Sequence, residues 1–137
     1  MIKKIRQALE TALTTWAVAQ TPVMPIALQN KSYVPTIGVR YVQANILSAE
    51  TENPSLGDAH KRFVGIFQIL INVKDKTGPG EAETIAESLF TTFARGESFA
   101  ASTVTVRILD SPSVLPSFND NGWYVLPVSI RYQSDIY

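Results

Sequence analysis

Hydrophobic side chains recur along this chain with two different rhythms, and each change of rhythm marks a boundary between elements. Ile2, Ile5, Leu9, Ala12, Leu13 and Trp16 return at three- and four-residue steps, with Lys3, Lys4, Arg6 and Glu10 between them. That stripe is one face of an amphipathic helix. It fades by Gln20, because Pro22 disfavours helical geometry in the residue before it. From Val23 to Leu28 the period shortens to two, with Met24, Ile26 and Leu28 on one face. Pro25 lacks a backbone donor, so this segment reads as an edge strand, broken by Asn30-Lys31-Ser32. A second strand is predicted from about Ile37 to Leu47. Its apolar positions slip in phase near Tyr41, which calls for a bulge or a strong bend.

The clearest strand follows, from Phe63 to Val73. Phe63, Phe67, Ile69, Ile71 and Val73 share one face, while Val64, Ile66 and Leu70 make the other face apolar as well. A strand of that kind is central and covered twice, or covered once and buried again in an oligomer. Thr77-Gly78-Pro79-Gly80 ends it and opens a helix, with Pro79 suited to the first turn and Glu81 and Glu83 complementing the helix dipole. The buried stripe is Ala82, Ile85, Ala86, Leu89 and Phe93, and Arg95-Gly96 makes a stop. Two more strands close the pattern. Thr103 to Leu109 turns Val104, Val106 and Ile108 inward, and Trp123 to Tyr132 puts Tyr124, Leu126, Val128, Ile130 and Tyr132 on one face. Between them runs a loop, Ser111 to Gly122, containing Pro112 and Pro116.

The predicted order is helix, three strands, helix, two strands. This describes an α+β fold over residues 1–137, a single domain with a mixed sheet of about five strands and two helices packed on one face. A strand-helix-strand passage between parallel strands would cross over right-handedly. The sheet face away from the helices then needs another cover, and a partner subunit is the economical one.

Composition narrows the possibilities further. A chain of 137 residues and 15.1 kDa is long enough for one real core. Twelve basic and twelve acidic side chains cancel, so no long-range field draws it to nucleic acid or to an anionic membrane. Cysteine is absent, which excludes disulfides, thiolate catalysis and thiolate metal sites. The basic start lacks a signal-peptide core, since Gln7, Glu10 and several threonines interrupt it. The run from Phe63 to Val73 is too short to span a bilayer as a helix, so the chain reads as soluble.

Candidate chemistry is sparse. His60, the one histidine, sits beside Asp58 in the polar loop from Ser48 to His60, with no Gly-x-Ser-x-Gly elbow to go with it. It reads as a solvent-exposed loop histidine. Gly78-Pro79-Gly80 lacks the lysine and serine or threonine of a phosphate loop, and the two glutamates after it would repel a phosphate. Glu50, Glu52 and Asp58 show no metal-ligand spacing. Lys61-Arg62 and Lys74-Asp75-Lys76 read as solvated strand ends. No catalytic, cofactor-binding or metal-binding residue is assigned.

Taken together, the segments resemble one family. They are the N-terminal amphipathic helix, the edge strand Pro25 to Asn30, Tyr33 to Arg40, then Arg62 to Val73 with Gly78-Pro79-Gly80 and Ala82 to Phe93, and finally Asn121 to Tyr132. Their order and spacing over nearly the full length resemble the tail terminator, or tail completion, proteins of long-tailed bacteriophages. The resemblance implies a structural virion protein, not an enzyme. It implies a homo-oligomeric ring, a hexamer, that caps the tail tube, ends elongation and offers the head-tail joining surface. The implied partners are other copies of the chain, the tail tube protein and a head completion or connector protein. DNA would pass through the lumen without specific binding, and neither a cofactor nor a membrane is implied. The expected location is the virion tail at the head-tail interface, after assembly in the host cytoplasm.

Contacts are expected first on the loop from Ala49 to His60, with Glu50, Glu52, Leu56, Asp58 and His60. Next come Pro116, Phe118 and Asp120 in the loop from Ser111 to Gly122, and Tyr137 in the tail from Gln133. The alternatives are another head-tail connector or a tail-tube subunit. From a different class come a small-ligand-binding domain or a hydrolase using Asp58 and His60.

Overall fold

A computed structural model describes residues 2–54 and 60–136, so the contact candidates Leu56, Asp58 and Tyr137 lie outside the described residues. The first helix, α1, spans Ile2–Val18 and buries Ile5, Leu9, Leu13 and Trp16 of the predicted stripe, together with Ala8 and Ala17, while Ala12 is half-buried and Ile2, at the helix start, is exposed. It ends where expected: the amides of Gln20 and Met24 both donate to the Ala17 carbonyl as the chain turns away.

The edge strand β1 shrinks to Ile26–Ala27 and pairs in parallel with β2, Tyr41–Ser48. Pro25 can accept but not donate, and its carbonyl takes the Val42 amide at 3.1 Å. Beyond Ala27 a side chain replaces the ladder: Gln29 Oε1 accepts the Ile46 amide at 2.9 Å. β2 begins four residues later than the pattern predicted. Thr36 to Val39 forms a turn instead, closed by the Val39 amide on the Thr36 carbonyl, with Gly38 at φ +78°. The phase slip near Tyr41 is therefore the junction of turn and strand. No bulge is needed, and β2 pairs without interruption from Tyr41↔Asn72 to Ser48↔Gly65.

β3 (Lys61–Lys74) and β8 (Trp123–Ile136) pair along their whole length, Lys61 opposite Ile136 and Lys74 opposite Trp123. The tail from Gln133 is thus strand as far as Ile136. The other edge of β8 is shared in turn by β7 (Phe118–Asp120), β6 (Ser113–Val114) and β5 (Val104–Ile108). β4 (Ser98–Ala101) pairs with β5 and forms the far edge, giving the order β1-β2-β3-β8-β5-β4. The sheet has eight strands where about five were expected. The extra ones are two to four residues long, too short for a period of two to register. β3 and β5 are both antiparallel to β8 and so run the same way, with β8 between them. The passage from β3 through α2 (Gly80–Thr92) therefore links strands that are not neighbours.

Both helices cover one sheet face, as expected. Leu9, Leu13 and Trp16 of α1 and Ile85 and Leu89 of α2 form one core with Val42, Phe67, Ile69, Ile71, Val128 and Ile130. Three rings line up through it: Phe67 to Phe93 at 5.8 Å and Phe93 to Phe99 at 5.3 Å. Trp16 Nε1 donates to Ser88 Oγ at 2.9 Å, a polar tie between the two helices. No helix among the described residues is long and apolar enough to cross a membrane.

Candidate assembly surface

The sheet face turned away from the helices is made by the alternate residues of β2, β3 and β8. Register arranges them in rows. Asn45, Gln68 and Ser129 lie side by side, between the row Gln43, Leu70, Pro127 and the row Leu47, Ile66, Arg131. Pattern alone predicted a greasy face needing full cover. The structure shows a banded one: an uncharged polar row crosses its middle, Val64, Ile66 and Leu70 are half-buried, and Leu47 is 49% exposed.

One end of this face is covered from within. Tyr33 packs on Tyr41 with ring centroids 5.0 Å apart, and Tyr41 meets Trp123 edge-on at 5.1 Å. Burial raises the Tyr33 hydroxyl pKa; burial, with Tyr33 and Asp120 nearby, raises that of Tyr41. β7 extends the same end, where Phe118 opposes Val125 and Asp120 opposes Trp123. Phe118 is 47% exposed, an apolar ring open to a partner.

The other end is held by charge. Asp135 Oδ1 accepts from Arg62 Nε at 2.9 Å and lies 3.0 Å from His60 Nε2, while Gln133 Nε2 donates to Oδ2 at 2.8 Å. His60 is therefore not the exposed loop histidine expected: its side chain is only 13% exposed and faces a carboxylate 75 residues away. Alongside, the chain leaving β2 stays on β3, with Glu52 and Arg62 exchanging both backbone hydrogen bonds. The arrangement staples the root of the Ala49 to His60 loop to β3 and β8.

Burial by itself would raise the Asp135 pKa, but the hydrogen bonds from Gln133, Arg62 and His60 and the Arg62 charge outweigh it and hold the carboxyl at about 2. A folded pKa below the ordinary 3.8 means that stability from this group is present above pH 4 and is lost as pH falls towards 2. Asp135→Asn is expected to cost about 1–2 kcal/mol at neutral pH, after allowance for solvent screening. It should also flatten the acid limb of the stability curve between pH 4 and 2, read by urea unfolding at stepped pH. An unaltered acid limb in the variant would show that the carboxylate is not held in this way.

The contact candidates fall into two separate groups. Phe118 and Asp120 stand at the Trp123 end of β8, with Pro116 in the short link between β6 and β7; Glu52 and His60 stand near its Asp135 end, with Glu50 exposed close by. Sequence reasoning passed over Tyr33, Val34 and Ile37. Ile37 was read as the start of a strand, and Tyr33 and Val34 were left outside any element, because exposed apolar side chains between strands leave no periodic signature.

Residues 4–132 match the family model described as phage tail terminator protein. Eight chains of solved structures also match. One of them superposes with a TM-score of 0.81 at 28% sequence identity, covering 97% of this chain and 94% of its own. No curated protein matches.

Proposed function

The chain belongs to the phage tail terminator protein family, a structural family of the phage tail, and from that membership we propose that it closes the end of the tail tube as a ring of copies, six by the family resemblance. The ring ends elongation and presents a joining surface to a head completion or connector protein. It assembles in the host cytoplasm and stays in the virion at the head-tail interface. It works by packing and performs no catalysis.

One observation carries this reading: the subunit is built with one sheet face sealed by two helices and the other left as a broad, centrally uncharged surface. A row of Asn45, Gln68 and Ser129 flanked by Ile66, Leu70 and Leu47 offers hydrogen bonds and apolar area, the mixture found in protein interfaces. We assign this face, with its borders at Phe118, Asp120, Pro116, Glu50, Glu52 and His60, to the tube end. Equal numbers of acidic and basic side chains suit a lumen through which DNA slides, since dense neutralisation of phosphates would hold it.

The test uses tail tubes growing in the presence of the purified chain. Native protein is expected to give tubes of one length, each closed by a single ring in electron micrographs. A double substitution, Leu47→Lys with Gln68→Lys, places two charges on the face and should yield overlong, open tubes while the protein stays folded. Capping by the double variant at native efficiency would remove the face from the interface. Long cylinders grown from the purified chain alone would make it a tube subunit instead.

A further inference from the structure

Two of the most exposed aliphatic side chains of the described residues occupy one short segment: Ile37, 96% exposed, and Val34, 86% exposed. This segment, the stretch between β1 and β2, is braced. Tyr33 anchors it on Tyr41, the Thr36 to Val39 turn holds Ile37 at its tip, and Arg40 Nη2 donates to the Pro22 carbonyl at 2.9 Å. A braced prong that shows isoleucine and valine to water is unfavourable for a lone subunit and points to a protein contact.

A receptor of matching character lies on the same chain. Between α1, α2 and β4 runs a groove of about 760 Å³, lined by small and aromatic side chains, among them Ala12, Thr15, Trp16, Thr91, Phe99 and Ala100. Its floor includes β4, which has no partner on its outer side among the described residues. Edge strands are usually protected by charge, proline or brevity; β1 is two residues long and directly preceded by Pro25. β4, Ser98-Phe99-Ala100-Ala101, carries neither charge nor proline.

Placement decides the occupant. The prong belongs to the β1/β2 edge of the sheet, and the β4 wall of the groove lies at the opposite end of the strand order, while the helical end of the groove reaches Gln20 and Ser88 beside the root of the prong. A surface that donates at one edge and accepts at the other joins copies head to tail, and repeated by rotation such a contact closes a ring. We infer that the Val34–Ile37 prong of one copy seats in the α1/α2/β4 groove of the next copy. This deepens the ring reading and rests on it, naming the donor and the acceptor of each joint.

The absence of cysteine allows a direct test. A chain carrying both Ile37→Cys and Ala100→Cys, exposed to oxidised glutathione, should give a ladder of covalent oligomers. Each single variant alone should stay monomeric under denaturing conditions, and the two singles mixed should give dimers only. Ile37→Asp should raise the concentration for half-assembly by about tenfold or more, because a buried anchor carries a large share of interface energy. Its urea unfolding curve should match the native one, since the side chain is already in water. Native rings with no ladder, and unimpaired rings from Ile37→Asp, would overturn this contact while leaving the ring intact. Cross-linked dimers from Ile37→Cys alone would mean a two-fold contact and overturn it too. Loss of tube capping by Ile37→Asp with rings preserved would give the prong to the tube protein and refute the joint. A native chain that stays monomeric both alone and at tube ends would bring down the ring reading itself.

Discussion

Phe67→Ala is expected to lose about 3–5 kcal/mol of unfolding free energy, the range for deleting a fully buried phenylalanine. Phe67 is fully enclosed on the central strand β3, opposite Ile46 on one side and Ile130 on the other, with the Phe93 ring 5.8 Å away. Truncation removes its transfer free energy and leaves a cavity that two sheet neighbours cannot fill, because their backbones are tied in the ladder. Set against about 5–15 kcal/mol for a domain of this size, the loss is a large fraction of the whole. Phe118→Ala is the control. That ring is half in water on the outer face, so its removal should cost well under 1 kcal/mol in the isolated chain. Urea midpoints for the two variants should therefore separate widely. Similar losses from both would mean that the sheet has its faces assigned the wrong way round.

Gly65→Ala is the second large effect, and here the cause is contact rather than cavity. A Cβ at position 65 would lie 2.6 Å from the Leu47 carbonyl oxygen, 2.7 Å from the Tyr132 hydroxyl and 2.9 Å from the ring carbon bearing it. Tyr132 lies over Gly65 from the neighbouring strand, where the register places the two opposite each other. A flexible side-chain tip could yield, but a backbone carbonyl of β2 can move only by disturbing the Ser48↔Gly65 pairing. The expected cost is about 3 kcal/mol, at the upper end for overpacking. Adding Tyr132→Phe removes only the hydroxyl contact, so the double variant should recover little. Full recovery would show that the tyrosine, and not the Leu47 carbonyl, sets the limit.

These two substitutions act on folding, whereas Ile37→Asp and the Leu47 and Gln68 pair act on association. The contrast follows from burial. Interior residues on the helix-covered face are already spent on the fold, while the prong and the outer face meet water in the single chain and are free to meet another protein. Asp135 stands between these groups: it joins β3 to β8 and steadies the root of a contact loop, so its removal should be felt modestly in stability above pH 4 and fade as pH falls towards 2.

The α+β class, both helices with their buried stripes, the core faces of β3 and β8 and the family resemblance were legible in the residues by themselves. Each rests on a period repeated over several turns or pairs, as in Ile5, Leu9, Leu13 or in Phe67, Ile69, Ile71, and such repetition survives without knowledge of neighbours. Tertiary structure decided the rest. Strands as short as Ser113–Val114 exist only because the long edge of β8 offers them a ladder. His60 changed from a loop residue to a partner of Asp135 because β3 and β8 bring positions 75 apart into contact. Ile37 moved from strand to turn tip because Gly38 adopts a positive φ there. Local periodicity records which side of an element is apolar. Pairing between distant segments determines whether that side is buried at home or left for a neighbour.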